Sequence, residues 1–157
     1  MTQTNNQEKV QVKIRKLRSD AIIPEYKTIG SAGFDFHLSS FVYTEDITII
    51  PNETVALPTG LAMEIPEGYE VQVRPRSGLS LTTKLRIANS PGSLDSDFRG
   101  EIQIIMENIG EKNITIHYGD RIAQGVLNKV PQAEFIVVDK LSDTARGSGG
   151  FGHTGVK

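Results

Sequence analysis

Pro58-Thr59-Gly60-Leu61-Ala62-Met63-Glu64-Ile65-Pro66-Glu67-Gly68-Tyr69-Glu70-Val71-Gln72-Val73-Arg74 decides the fold. Tyr69, Val71 and Val73 oppose Glu70, Gln72 and Arg74, the period-2 pattern of a strand with one buried face. Leu61–Ile65 is a second short apolar run, and both runs are introduced by turns carrying proline and glycine. The same pattern continues outward in both directions. Val10, Val12 and Ile14 alternate with Gln11, Lys13 and Arg15. Further strands are expected at Phe41–Ile49, Thr54–Leu57, Glu101–Asn108, Ile114–His117, Ile122–Val130 and Glu134–Val138. Pro51-Asn52, Pro91-Gly92 and Tyr118-Gly119-Asp120 supply more turns, and Gly78–Leu85 alone suggests a short helix. Many short strands at turn-punctuated spacing predict an all-β sandwich, jelly roll or barrel.

The chain has 157 residues, 38% hydrophobic and 23% charged, which suits one domain with a real core. Seventeen basic residues against nineteen acidic give a net charge of −2, so no broad basic field argues for a nucleic-acid polymer. Any phosphate site must be local. The absence of cysteine excludes disulfides, thiolate zinc sites and cysteine nucleophiles. Residues 1–9 are polar, without the apolar run of a signal peptide, and read as a disordered lead. No run reaches membrane-span length. The expectation is a soluble cytoplasmic protein with a β-barrel at 10–145 and a flexible glycine-rich lid at 146–157, where five of the nine residues 147–155 are glycine.

Three chemical devices lie between Arg74 and Gly100. Arg74-Pro75-Arg76-Ser77-Gly78 offers two guanidinium forks, which match phosphate oxygens in shape and charge, beside a hydroxyl and a glycine. It also reads as a strand end with solvated arginines, because Pro75 removes a ladder donor. Asn89-Ser90-Pro91-Gly92 is a tight turn bearing an amide able to read a planar polar edge. Asp95-Ser96-Asp97-Phe98-Arg99-Gly100 places a carboxylate, a candidate general base, three residues before an aromatic ring, although the same residues suit an ordinary Asx turn. Elsewhere Asp35 stands between Phe34 and Phe36, pointing to the opposite strand face. Gly119-Asp120-Arg121-Ile122-Ala123-Gln124 reads as a turn entering a strand. The tail from Arg146 to Gly155 can wrap an anion with backbone amides and stack Phe151 on a base, but lacks the ending of a Walker loop. Together these features point to a nucleotide.

In this order the segments resemble the five motifs of the trimeric deoxyuridine triphosphatase (dUTPase) family. Ala32-Gly33-Phe34-Asp35 looks like the first, Pro75-Arg76-Ser77-Gly78-Leu79 the second, and Asn89 through Gly100 the third. Gly119 through Gln124 looks like the fourth and Arg146 through Gly155 the fifth. The likeness covers about residues 10–155. It implies a jelly-roll-like β-barrel, a homotrimer with exchanged C-terminal arms, and active sites completed by a neighbour's fifth motif. It also implies hydrolysis of dUTP to dUMP and pyrophosphate with Mg²⁺, which limits uracil in DNA and supplies dUMP for dTTP synthesis.

By that resemblance Asp95 is the base acting on the attacking water. Asn89 and the Ser93–Leu94–Asp95 backbone read uracil, with Gln103 a secondary contact. Arg76, Ser77, Gly78 and Gln124 hold phosphates, and Asp35 supports the magnesium through water. Arg146 clamps the terminal phosphates, while Phe151 covers the base. Phe98 packs under the deoxyribose where the family usually has tyrosine, His153 replaces a usual serine, and Leu94 replaces isoleucine. Competing readings are a deoxycytidine triphosphate deaminase of the same fold, a non-catalytic nucleotide-binding homologue, and a nucleic-acid-binding β-barrel. The intact Asn89–Asp95 segment, the complete tail and the lack of basic interleaving favour the hydrolase.

Overall fold

The computed structural model describes residues 9–39 and 46–150. These contain β1 (Lys13–Lys16), β2 (Phe34–His37), β3 (Ile47–Ile49), β4 (Thr54–Pro58), β5 (Leu61–Glu64), β6 (Tyr69–Arg74), α1 (Ser77–Thr82), β7 (Leu85–Ile87), β8 (Gly92–Leu94), β9 (Gln103–Asn108), β10 (Ile114–Ile116) and β11 (Arg121–Lys129). Every pairing is antiparallel. Four small sheets, ordered β2-β11-β6-β8, β4-β9-β7, β1-β5 and β10-β3, make an all-β, jelly-roll-like arrangement.

The alternation seen in the sequence is what builds the interior. Val71 and Val73 of β6 and Ile104 and Met106 of β9 turn inward, while Gln103 and Ile105 stay exposed. They meet Phe36, Leu57, Leu61, Leu85, Ile102 and Ile122, each at most 1% exposed, in one cluster. Burying a side chain of this size contributes about 1.5–3 kcal/mol, so this shared interior is the main stabilising term.

β11 joins two neighbours and is central to its sheet. Against β2, Gln124 faces Asp35 and Ala123 faces Phe36, but the register then shifts so that Arg121 faces His37. The extra residue is a β-bulge, which lets Ile122 and Ala123 both enter the core.

Several elements differ from the sequence expectation. The N-terminal strand begins at Lys13 rather than Val10, and the helix ends at Thr82, so that Leu85 opens β7 against β9. Gly92–Leu94, within a segment read as a turn, forms β8 against β6. The run Phe41–Ile49 is only partly described, with β3 at its end. No strand forms at Glu134–Val138, although the run is rich in β-branched residues. A strand needs a ladder partner, and none of the described residues pairs with it; Phe135 and Val137 remain 92% and 97% exposed.

Candidate nucleotide-binding site

β2, β6 and β11 bring three separated segments together. Asp35, 14% exposed, accepts from Arg76 Nε through Oδ1 at 2.8 Å and from Arg121 Nη1 through Oδ2 at 3.2 Å. Arg76 Nη1 also donates to the backbone oxygen of Arg121 at 3.4 Å. Gln124 Nε2 donates to the carbonyl of Pro75 at 2.7 Å, fixing the residue that precedes Arg76. An added Cβ at Gly33 would lie 2.9 Å from Gln124 Oε1, so a glycine there lets the amide lie against β2.

Ser77 and Gly78 follow in α1, both exposed. A Cβ placed on Gly78 meets nothing within 4 Å, so packing within the chain does not demand this glycine.

The second group lies on the hairpin built on β8. Ser93 Oγ donates to Glu70 Oε2 at 2.8 Å, tying the hairpin to β6. Gly92 is buried, and Asn89 curls over it, with Nδ2 3.1 Å from where a Cβ would stand. Leu94 packs against the core. Asp95 is exposed and lines an open cavity of ≈ 900 Å³ with Glu64, Glu67, Glu70, Asp97 and Arg99. The turn that carries it is closed by Phe98 N–H donating to the Asp95 carbonyl at 3.2 Å. Arg99 Nη1 clamps the same turn through the carbonyls of Ser96 and Phe98, at 2.6 and 2.9 Å. Phe98 is 44% exposed, and its ring edge lies where a Cβ on Gly100 would come within 2.7 Å. A side chain at that position would collide with the tip of the ring.

The β6–β8 register separates these two groups. Gly92 faces Val73 and Leu94 faces Val71, so Asp95 continues beside Glu70 while Arg76 leaves the other end. Glu70 and Arg74 are four residues apart, about 13 Å of strand. One chain thus presents its carboxylate and its guanidinium at opposite ends of β6.

Of the remaining predicted residues, Gln103 is exposed at the start of β9, opposite Pro58. Arg146 is exposed and donates through Nε to the carbonyl of Gly149 at 2.7 Å, within its own turn. Phe151 and His153 lie outside the described residues. Sequence reasoning gave no role to Arg121, Glu70 or Arg99. Arg121 stood within a recognised motif, but the bulge that aims it carries no sequence signal.

His37, next to this cluster on β2, has a buried Nδ1 without a hydrogen-bond partner among the described residues. Burial holds its imidazole below the ordinary value, with the Asp35 charge opposing. Among the described residues no three His, Cys, Asp or Glu side chains gather as a metal cage, and no helix is long and apolar enough to cross a membrane.

The fold is an all-β, jelly-roll-like one that carries a guanidinium cluster and a carboxylate-bearing hairpin. The dUTPase family model matches residues 19–155, and the chain belongs to that family. It is 46% identical over 147 residues to a deoxyuridine 5'-triphosphate nucleotidohydrolase of Helicobacter pylori, covering 94% of this chain and 98% of that one. The corresponding protein of Desulfotalea psychrophila is 51% identical over 134 residues, covering 85% of this chain and 87% of the other. Among solved structures, the dUTPase of Staphylococcus bacteriophage 80alpha with dUPNHPP superimposes with a TM-score of 0.85. It is 27% identical, and the match covers 93% of this chain and 99% of that one.

Proposed function

We propose that this protein hydrolyses dUTP to dUMP and pyrophosphate as a homotrimer, limiting uracil in DNA and supplying dUMP for dTTP synthesis. The observation that carries the assembled site is the β6–β8 register, which sends Asp95 and Arg76 from opposite ends of one pairing. With Asp95 acting at the α-phosphorus and Arg76 on the phosphates, this separation favours a neighbour's hairpin bringing its Asp95 to this chain's Arg76. The unpaired run 134–141 supports the same assembly. Phe135, Ile136, Val137 and Leu141 are each at least 77% exposed, a cost that docking on a second copy would remove. Among the described residues strand β1 pairs with β5 on one side only, leaving an edge for such a segment.

In this reading water attacks the α-phosphorus and gives its proton to Asp95. The bond from that phosphorus to the bridging oxygen breaks, and pyrophosphate leaves. Arg76, Ser77, Gly78 and Gln124 hold the phosphates; fixed charges aimed at oxygens that gain charge favour the transition state over the ground state. Asn89 and the Ser93–Asp95 backbone read uracil, with Gln103 beside them. A mismatched amino group would leave buried polar groups unpaired, at about 1–3 kcal/mol each. Phe98 occupies the space a 2′-hydroxyl needs. The lid, residues 146–157, closes from a neighbour, with Arg146 on the terminal phosphates and Phe151 over the base.

In this reading magnesium would arrive on the triphosphate and keep most of its water. Asp35, beside Arg76, would accept from that water, and the bound ion would offset charge on the phosphate oxygens.

The test is pyrophosphate release with magnesium across dUTP, dTTP, dCTP and UTP. A clear preference for dUTP is expected. Comparable rates on dCTP or UTP would overturn the assignment of the hairpin as the uracil and sugar reader.

A further inference from the structure

Arg121 opens β11 at the one place where β2 and β11 lose register. In a regular ladder Ile122 would face His37 and share the side of the sheet that carries Asp35, and Arg121 would turn toward the core. The bulge reverses this: Ile122 is buried, 1% exposed, and Arg121 stands with Asp35 and Gln124. Bulges re-aim side chains in this way beside functional sites.

The result is a closed ring of three residues. Arg76 Nε donates to Asp35 Oδ1 at 2.8 Å, Arg121 Nη1 donates to Asp35 Oδ2 at 3.2 Å, and Arg76 Nη1 donates to the Arg121 carbonyl at 3.4 Å. Arg121 therefore holds Arg76 twice, through its own backbone and through the carboxylate that both guanidinium groups share. The Asp35 and Arg76 side chains are only 14% and 23% exposed, so their charges are less screened than a surface pair.

We propose that Arg121 is a positioning residue for phosphate recognition, fixing Arg76 and sharing the Asp35 charge so that Arg76 remains available to the substrate. With Arg121 absent, one carboxylate would face one guanidinium, and the incoming phosphate would compete with Asp35 for it. Losing the Arg121 side chain leaves the backbone carbonyl that Arg76 Nη1 meets, but removes the second guanidinium that fixes the Asp35 carboxylate, and with it part of the orientation of Arg76. This rests on the reading that Arg76 holds phosphate. A displacement of about 1 Å in such a site can cost about a hundredfold.

The experiment compares wild type, Arg121→Ala, Arg121→Lys, Arg76→Ala and the double variant Arg76→Ala/Arg121→Ala. The readouts are KM and kcat for dUTP, affinity for the non-hydrolysable α,β-imido analogue of dUTP by calorimetry, and the Arg76 Nε–Hε signal by NMR in nucleotide-free protein. Arg121→Ala should weaken analogue binding about tenfold, with Arg121→Lys recovering part of the loss because the charge on Asp35 is restored. The Arg76 signal should lose its rigidity, and Arg121→Ala should add almost nothing in the Arg76→Ala background. A rigid, unshifted Arg76 signal in Arg121→Ala, or full multiplication of the two single effects, would overturn the inference, since Arg121 would then act independently. If Arg76→Ala leaves affinity unchanged while the NMR coupling persists, the phosphate role of Arg76 is wrong and this role for Arg121 falls with it.

Discussion

β9 and residues 134–138 are both rich in branched apolar residues, yet only one of them is a strand. β9 has β4 on one edge and β7 on the other, and its Ile104 and Met106 are 1% exposed. Glu134-Phe135-Ile136-Val137-Val138 has equal or greater β propensity, no ladder partner among the described residues, and apolar side chains that face solvent. The difference lies in the neighbours rather than in the residues. Propensity describes fitness for a pleated, half-buried surface, and a strand forms only where that surface exists. Among the described residues the chain thus divides into a core that completes its own ladders and an arm for which the proposed assembly would supply a partner.

The largest expected effect tests the core side of this division. Asp95→Asn keeps shape and removes the proton acceptor, so turnover should fall by about 10²–10⁴-fold. Asp95 is exposed and outside every ladder, so the melting temperature and the oligomeric mass should not move. Near-normal turnover would remove Asp95 from the base role. Deletion of residues 146–157 tests the arm side. It should lower turnover by on the order of a hundredfold by removing charge and water exclusion from the closed site, while the melting temperature stays within a degree or two. A large loss of stability would mean that the tail belongs to the core after all.

A smaller effect is expected from the first part of the arm, residues 134–138. Phe135→Asp with Val137→Asp places charges where an apolar docking face is required, and assembly should weaken. Light scattering should then report mass approaching 17.2 kDa rather than three times that value. Specific activity should fall about tenfold at dilute enzyme and recover at high concentration, as mass action demands. An unchanged mass would place the docking contact elsewhere.

The same division explains what could be read from sequence. Strands whose partners lie in the chain announced themselves by alternation, as in Tyr69–Arg74 and Gln103–Asn108. Leu85–Ile87 did not, because three residues carry too little period and their strand state comes from pairing with β9. Gly92–Leu94 was concealed by turn residues for a similar reason. Glu134–Val138 read as a strand because sequence reports propensity and is silent on partners. In the site, the juxtaposition of Asp35, Arg76 and Gln124 was reachable only through the order of the motifs. The role proposed for Arg121 needed the register shift, a three-dimensional fact.

The least effect is expected at an intermediate case, β3 and β10, which pair with each other and with no third strand among the described residues. Their end is held by His117 Nδ1 and Asp46 Oδ2 at 2.7 Å, with Tyr118 N–H also donating to Asp46. The hydrogen bond to Asp46, reinforced by its charge, raises the His117 imidazole above its ordinary 6.5. The same bond lowers the Asp46 carboxyl below its ordinary 3.8. A raised histidine contributes stability that is complete below its unfolded value and lost as pH rises through the folded one. A depressed aspartate contributes stability that is present above its unfolded value and lost as pH falls through the folded one. The pair therefore acts between the two folded values and fades on the alkaline side first when pH is raised from neutrality. Comparing melting temperatures of wild type and His117→Ala from about pH 5.5 to about pH 8.5 should show the gap narrowing as pH rises. The gap should be small and should shrink with added salt, because both side chains are well exposed, at 65% and 46%. A gap independent of pH would mean that this sheet is held by Ile47, Ile49, Ile114 and Ile116 alone, making it part of the self-sufficient core rather than a case between core and arm.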